Sequence, residues 1–168
     1  MQGPRPNALV TICGGYGEAE AALRLLQAHH FGLNNVSLVG RGLSSGGEMV
    51  GWYEVGEGCK YWGPLGAFWE GLWELLDGCG VFWLSNCGWV LFAGPFIKTF
   101  IVSLRSSSVF SGLTPIGSAL YSLGIPLRDV VRYEASLTGS QLLLIVQGAA
   151  SVVENGRQLL EGKIKESL

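Results

Sequence analysis

The chain has 168 residues, enough for one domain with a real core. Only 14% of the residues are charged and 26 are glycine, about double the usual glycine share. The formal net charge is −2, which offers no basic field to a phosphate backbone and argues against nucleic-acid binding.

Residues 1–7 (MQGPRPN) read as a polar, disordered lead with no cleavable signal sequence. Ala8 to Cys13 is a short apolar run, predicted as a buried strand. Gly14-Gly15 turns the chain. Gly17 to His30 is predicted as a helix with Ala19, Ala22, Leu23, Leu26 and His30 on one apolar-leaning face, and Gly32 stops it. Val36 to Val39 is a second strand, completing a β-α-β unit. The glycines of Cys13-Gly14-Gly15-Tyr16-Gly17 lack full GxGxxG spacing, and no Walker lysine follows, so they are read as turn residues rather than a nucleotide cradle. Gly40 to Gly47 is a polar loop, and Glu48 to Val55 is predicted as an edge strand.

Tyr61 to Leu104 is the stretch around which the chain is organised. It holds every tryptophan except Trp52. As a helix, Tyr61 to Asp77 places Gly63, Ala67 and Gly71 on one stripe, a small-xxx-small pattern that allows close helix contact. Trp62, Leu65, Trp69, Trp73 and Leu76 form a bulky stripe roughly opposite. Glu70, Glu74 and Asp77 lie on the small-residue side. A second arm follows Ser85-Asn86-Cys87-Gly88. From Gly78 to Ile97 no residue is charged, a run long enough for a bilayer span. Trp83, Trp89, Phe92 and Phe96 are its large residues and Gly88, Ala93 and Gly94 its small ones, while Pro95 should kink or end a helix. Lys60, Lys98 and Arg105 flank the two arms, which by the positive-inside rule predicts both ends in the cytoplasm.

Ser111 to Leu123 is predicted as a helix ended by Gly124-Ile125-Pro126. Val130 to Leu137 and Gln141 to Gln147 read as strands around a Thr138-Gly139-Ser140 hairpin turn. Ala149 to Gly162 closes as a helix. The predicted fold class is α/β (α+β): a ferredoxin-like α/β sandwich with an inserted apolar helical hairpin. Residues 1–58 would form the first half of the α/β domain, 59–105 the glycine- and tryptophan-rich insert, and 106–168 the second half.

Lys60-Tyr61-Trp62-Gly63 through Trp73, then Ala93-Gly94-Pro95, resemble a bacterial family of general-stress-protein-like domains of unknown function, often labelled membrane proteins or permeases. Gly117-Ser118-Ala119-Leu120, Gly124-Ile125-Pro126, Val131-Arg132-Tyr133-Glu134 and Leu144-Ile145-Val146-Gln147-Gly148 carry the same resemblance, which runs from about Ala8 to Leu160. It implies a membrane-linked stress factor and no reaction. This chain departs from the family pattern at Glu70, Glu74 and Asp77, where glycine or apolar residues are usual.

The three carboxylates would suit a divalent cation or an aqueous lining; a solvated polar face is the plainer alternative. His29 and His30 are adjacent on a helix and do not converge. Ser44-Ser45 and Ser106-Ser107-Ser108 have no His or Asp partner at a triad's spacing. Tyr133 and Glu134, read on a strand, would point to opposite faces. Cys13, Cys59, Cys79 and Cys87 form no CxxC pair and no zinc spacing, so they read as reduced thiols. The sequence therefore predicts no catalytic, cofactor or metal residue. It predicts a non-enzymatic, self-associating protein of the cell membrane or its surface, with the α/β domain on the cytoplasmic side. Gly63, Ala67, Gly71 and Gly94 would be the helix contact, and Trp62, Trp69, Trp73, Trp83 and Trp89 the apolar face. Glu70, Glu74 and Asp77 would be the ion or pore lining. The partners would be further copies of the chain and a lipid bilayer. Two alternatives stand beside this: a soluble homo-oligomer with the hairpins packed together, and an ion- or small-molecule-binding module.

Overall fold

The computed structural model describes residues 8–41, 51–54, 58–61, 76, 79–84, 88–105, 113–139 and 141–166. In chain order the first elements are strand β1 (Ala8–Cys13), helix α1 (Tyr16–Ala28) and a 3-10 turn (Leu33–Asn35). Strands β2 (Val36–Arg41), β3 (Gly51–Glu54), β4 (Gly58–Tyr61), β5 (Cys79–Leu84) and β6 (Gly88–Ala93) follow. Helices α2 (Phe96–Arg105), α3 (Pro115–Ser122) and α4 (Leu127–Thr138), strand β7 (Leu142–Gln147) and helix α5 (Ala150–Glu166) complete the chain. The mixed α/β class is as expected, and β1, α1, β2, α3, β7 and α5 fall where the sequence put them.

Two stretches are corrected. Gly78 to Ile97 is not a membrane-length helix: β5 and β6 pair as an antiparallel hairpin from Cys79↔Ala93 to Leu84↔Gly88. The run is rich in aromatic and β-branched residues and has a break at its centre. Gly88 lies in that turn with φ +78°, a conformation glycine takes at little cost. Among the described residues no helix is long and apolar enough to cross a membrane. The strands and α2 are integral to the sheet and its cover, so residues 79–105 are not a helical appendage set into a finished domain.

The second correction is Val130 to Leu137, which belongs to α4 rather than to a strand. Val130, Tyr133 and Leu137 are buried at helical spacing, and Gly139 caps the helix where a hairpin turn was expected. The predicted edge strand from Glu48 to Val55 contains β3, which pairs with β4 in a separate two-stranded sheet.

The main sheet has the order β1-β7-β2-β6-β5, and every pairing is antiparallel. β7 therefore lies between β1 and β2, and β2 lies between β6 and β7. Both crossovers are split units, interlaced with one another. Burial shows where their helices go. Leu142, Leu144, Val146, Val36, Leu38, Leu91 and Ala93 point to one face, with Ala19, Ala22, Leu23 and Leu26 of α1 and Leu160 of α5. Leu143, Ile145, Val39, Val90 and Phe92 point to the other, with Phe96, Ile97 and Phe100 of α2, Ile116, Ala119 and Leu120 of α3, and Val130, Tyr133 and Leu137 of α4. The molecule has three layers, not the helices-on-one-face arrangement of an α+β sandwich.

This layering fixes a chirality. The β1-to-β2 crossover and the β6-to-β7 crossover move in opposite directions across the sheet, from strands that also point oppositely. If both were right-handed, their helices would share a face. They lie on opposite faces, so one crossover departs from the strong right-handed preference.

Gly94 and Ser37 set the corner between sheet and α2. Gly94 has φ +106°, and a Cβ there would overlap the Val36 carbonyl and stand 2.6 Å from Ser37 Cα. The backbones touch, which brings Phe96 N within 2.8 Å of Ser37 Oγ. A hydroxyl from β2 thus accepts one of the orphan N–H groups at the start of α2, and both partners are buried.

Candidate functional site

β1 is one edge of the main sheet, and an open groove of about 410 Å³ runs along it. Its floor is Leu9, Val10, Thr11 and Ile12; Arg132 and Tyr133 of α4 form one wall, Leu160 and Glu161 of α5 the other. Strand alternation supplies this shape: Val10 and Ile12 pack with the α4 side, Leu9 with the α5 side. The Tyr133 ring is buried and its hydroxyl donates to the Val10 carbonyl at 3.4 Å. Arg132 Nη2 donates to the same hydroxyl at 3.2 Å, and the guanidinium carbon stands 5.0 Å from the Tyr133 ring centre. Arg132 also meets Asp129 loosely, at 3.7 Å.

Glu134, next along α4, has a different task. Its carboxylate accepts from the Thr114 hydroxyl and from Thr114 N. Thr114 Oγ1 in turn accepts from Gly117 N at 3.1 Å and caps α3. Gly117 leaves the room: a Cβ there would overlap Glu134 Oε1. Tyr133 and Glu134 do diverge, as the sequence suggested, but on a helix, one to the sheet edge and the other to a neighbouring helix.

The expected site residues divide. Gly63, Ala67, Gly71, Trp62, Trp69, Trp73, Glu70, Glu74 and Asp77 lie outside the described residues, as do Ser44, Ser45 and Ser106. Leu76, expected on the aromatic stripe, is 3% exposed and sits in the core cluster with Leu91 and Ala93. Gly94, expected at a helix contact, is pressed against β2 within its own chain. Trp83 and Trp89 face each other across β5 and β6, with Trp83 60% exposed and Trp89 half-buried. Lys60 lies in β4 and Lys98 on the exposed side of α2, and the second of the two arms between them is a strand hairpin rather than a helix. His29 and His30 are exposed at the end of α1, where His30 takes φ +56° and terminates the helix. At the start of α1, Glu18 Oε2 accepts from Gly14 N at 2.6 Å, so the helix terminus already has its own carboxylate.

Among the described residues no cluster of His, Cys, Asp and Glu could hold a metal ion. Sequence reasoning missed the β1 groove and the Ser37 cap, both of which join residues far apart in the chain. The signal for the corner was present: Gly94-Pro95 between two apolar runs marks a forced change of direction. No family model, curated protein or solved structure matches the chain.

Proposed function

We propose that the chain is a non-enzymatic, self-associating protein that works at a membrane surface, akin to the general-stress-protein-like family it resembles. Association rests on the tryptophans of residues 62–75, read from the sequence, and on the exposed edge strand β5. The observation that carries the reading is Trp83, a large apolar side chain left 60% exposed on edge strand β5 although both faces of the sheet are already covered. β3 and β4 both touch β5, and the tryptophan-rich segment follows Tyr61 of β4 in sequence. Trp83 thus lies on the edge strand that β4 touches, and β4 is the strand just before Trp62, Trp69 and Trp73 in the sequence. Tryptophan favours the membrane–water boundary and protein interfaces because its ring is apolar and its N–H is polar. The spanning version of this reading is not retained for residues 78–97, in which Cys79–Leu84 and Gly88–Ala93 are strands of the main sheet.

Flotation with anionic phospholipid vesicles tests the proposal. Wild type should co-float and show several subunits by light scattering in mild detergent. Trp83→Ser should weaken partitioning by about 1–2 kcal/mol, or about five- to thirtyfold, while the fold survives. A protein that assembles without detergent and ignores vesicles is the soluble homo-oligomer. A clean monomer that ignores vesicles removes both.

A further inference from the structure

We propose that the outer edge of β1 takes up an extended peptide as an added strand, with an acidic side chain against Arg132 and a basic one against Glu161. An edge strand leaves alternate N–H and C=O groups without a ladder partner, which is a template for another strand. The opposite edge, β5, has β3 and β4 beside it; among the described residues no strand lies beside the outer side of β1. The groove follows four consecutive residues, Leu9 to Ile12, a length of about 13 Å. Its floor thus offers backbone groups at strand spacing, which a main chain can answer throughout its length. The Val10 carbonyl already accepts the Tyr133 hydroxyl, at a long 3.4 Å that an incoming N–H can displace.

Charge selects the occupant. Successive side chains of an added strand would point alternately to the α4 wall and the α5 wall. The α4 wall carries Arg132, whose side chain is 62% exposed and meets Asp129 only at 3.7 Å. The α5 wall carries Glu161, which is also exposed. A peptide with a carboxylate on one face and an ammonium on the other answers both. A second copy of this chain fits less well. Antiparallel pairing of two β1 edges uses a two-fold axis perpendicular to the sheet, which keeps α4 on the side of α4 and α5 on the side of α5. Arg132 would then approach the Arg132 side of the junction, and Glu161 its own counterpart.

The test uses the full chain and three fluorescent eight-residue peptides of alternating β-branched residues. The first carries glutamate on one face and lysine on the other; in the second the two charges are exchanged within an otherwise identical strand. The two faces are equivalent apart from register, so the protein variants decide. The outward amides of Val10 and Ile12, on the side to which the Val10 carbonyl points, should shift in the NMR spectrum and become protected from exchange when the first peptide binds. Arg132→Glu and Glu161→Lys should each weaken it about two- to fivefold, the range of an exposed ion pair. A third peptide with glutamate on both faces should be less sensitive to Arg132→Glu once Glu161→Lys is present, because the preferred wall has moved. Binding without change at residues 9–12, or affinities indifferent to both substitutions, would overturn the proposal. So would outward amides of Val10 and Ile12 already protected in the free protein in a concentration-dependent way, by a second copy.

Discussion

The two faces of the sheet are held by different chemistry. The face toward α2, α3 and α4 carries a chain of phenylalanine rings. Phe92 stacks on Phe100 at 4.6 Å and on Phe96 at 6.2 Å, and Phe82 meets Phe92 and Phe100 edge-on at 5.6 and 5.0 Å. Polar ties bind its helices to their surroundings: Ser37 to α2, Glu134 to the cap of α3, Tyr133 to β1, and Arg41 Nη1 to the Thr138 carbonyl at the end of α4. The face toward α1 and α5 is mainly aliphatic, and Ala19 and Ala22 let α1 lie close to the strands. The helices on the first face thus carry polar ties to their neighbours, whereas α1 and α5 are placed mainly by their apolar stripes.

The largest expected effect breaks the tethered face at its corner. Gly94→Ala puts a side chain at φ +106° and into the backbone of β2. Strain and overpacking together should remove about 4 kcal/mol or more. Urea unfolding measures it, and a loss under 1 kcal/mol would show that the corner can relax.

Next comes a paired comparison of the cores. Phe92→Ala removes a ring that touches Phe82, Phe96 and Phe100, and should cost about 3–5 kcal/mol. Leu26→Ala, fully buried on the aliphatic face, should cost at least about 1 kcal/mol less, since fewer atoms are lost and no ring contacts go with them. Equal costs would mean that the aromatic chain adds nothing beyond its area.

The same contrast explains what the sequence disclosed. β1, β2 and β7 were legible because each is a short apolar run with turn residues beside it. α1 and α5 were legible from their apolar stripes. The hairpin of β5 and β6 was hidden because β6 is buried on both faces from Val90 to Ala93, which erases the alternation that marks a half-exposed strand, and β5 is as apolar in sequence. Its uncharged length then suited a membrane helix equally well. α4 was hidden for the opposite reason. Val130, Val131 and Tyr133 are strand-favouring residues in a segment whose stripe of Val130, Tyr133 and Leu137 fits a helix, and packing against the sheet overrode propensity. The groove was illegible because it joins β1 to residues more than a hundred positions away.

The smallest effect concerns that groove, where the two faces meet at an edge. Tyr133→Phe keeps the buried ring and removes one hydroxyl. The hydrogen bond lost is long, 3.4 Å, and its acceptor Val10 lines an open groove, so water replaces the phenol. Stability should fall by no more than about 1 kcal/mol. The informative readout is elsewhere. If the hydroxyl occupies the carbonyl that an added strand would use, its removal should leave peptide affinity unchanged or slightly higher while the fold is a little weaker. A loss of several kcal/mol in stability would instead make Tyr133 a structural clamp of the β1 edge. That edge would then be closed by side chains much as β5 is attended by β3 and β4, and the contrast between the two edges would disappear.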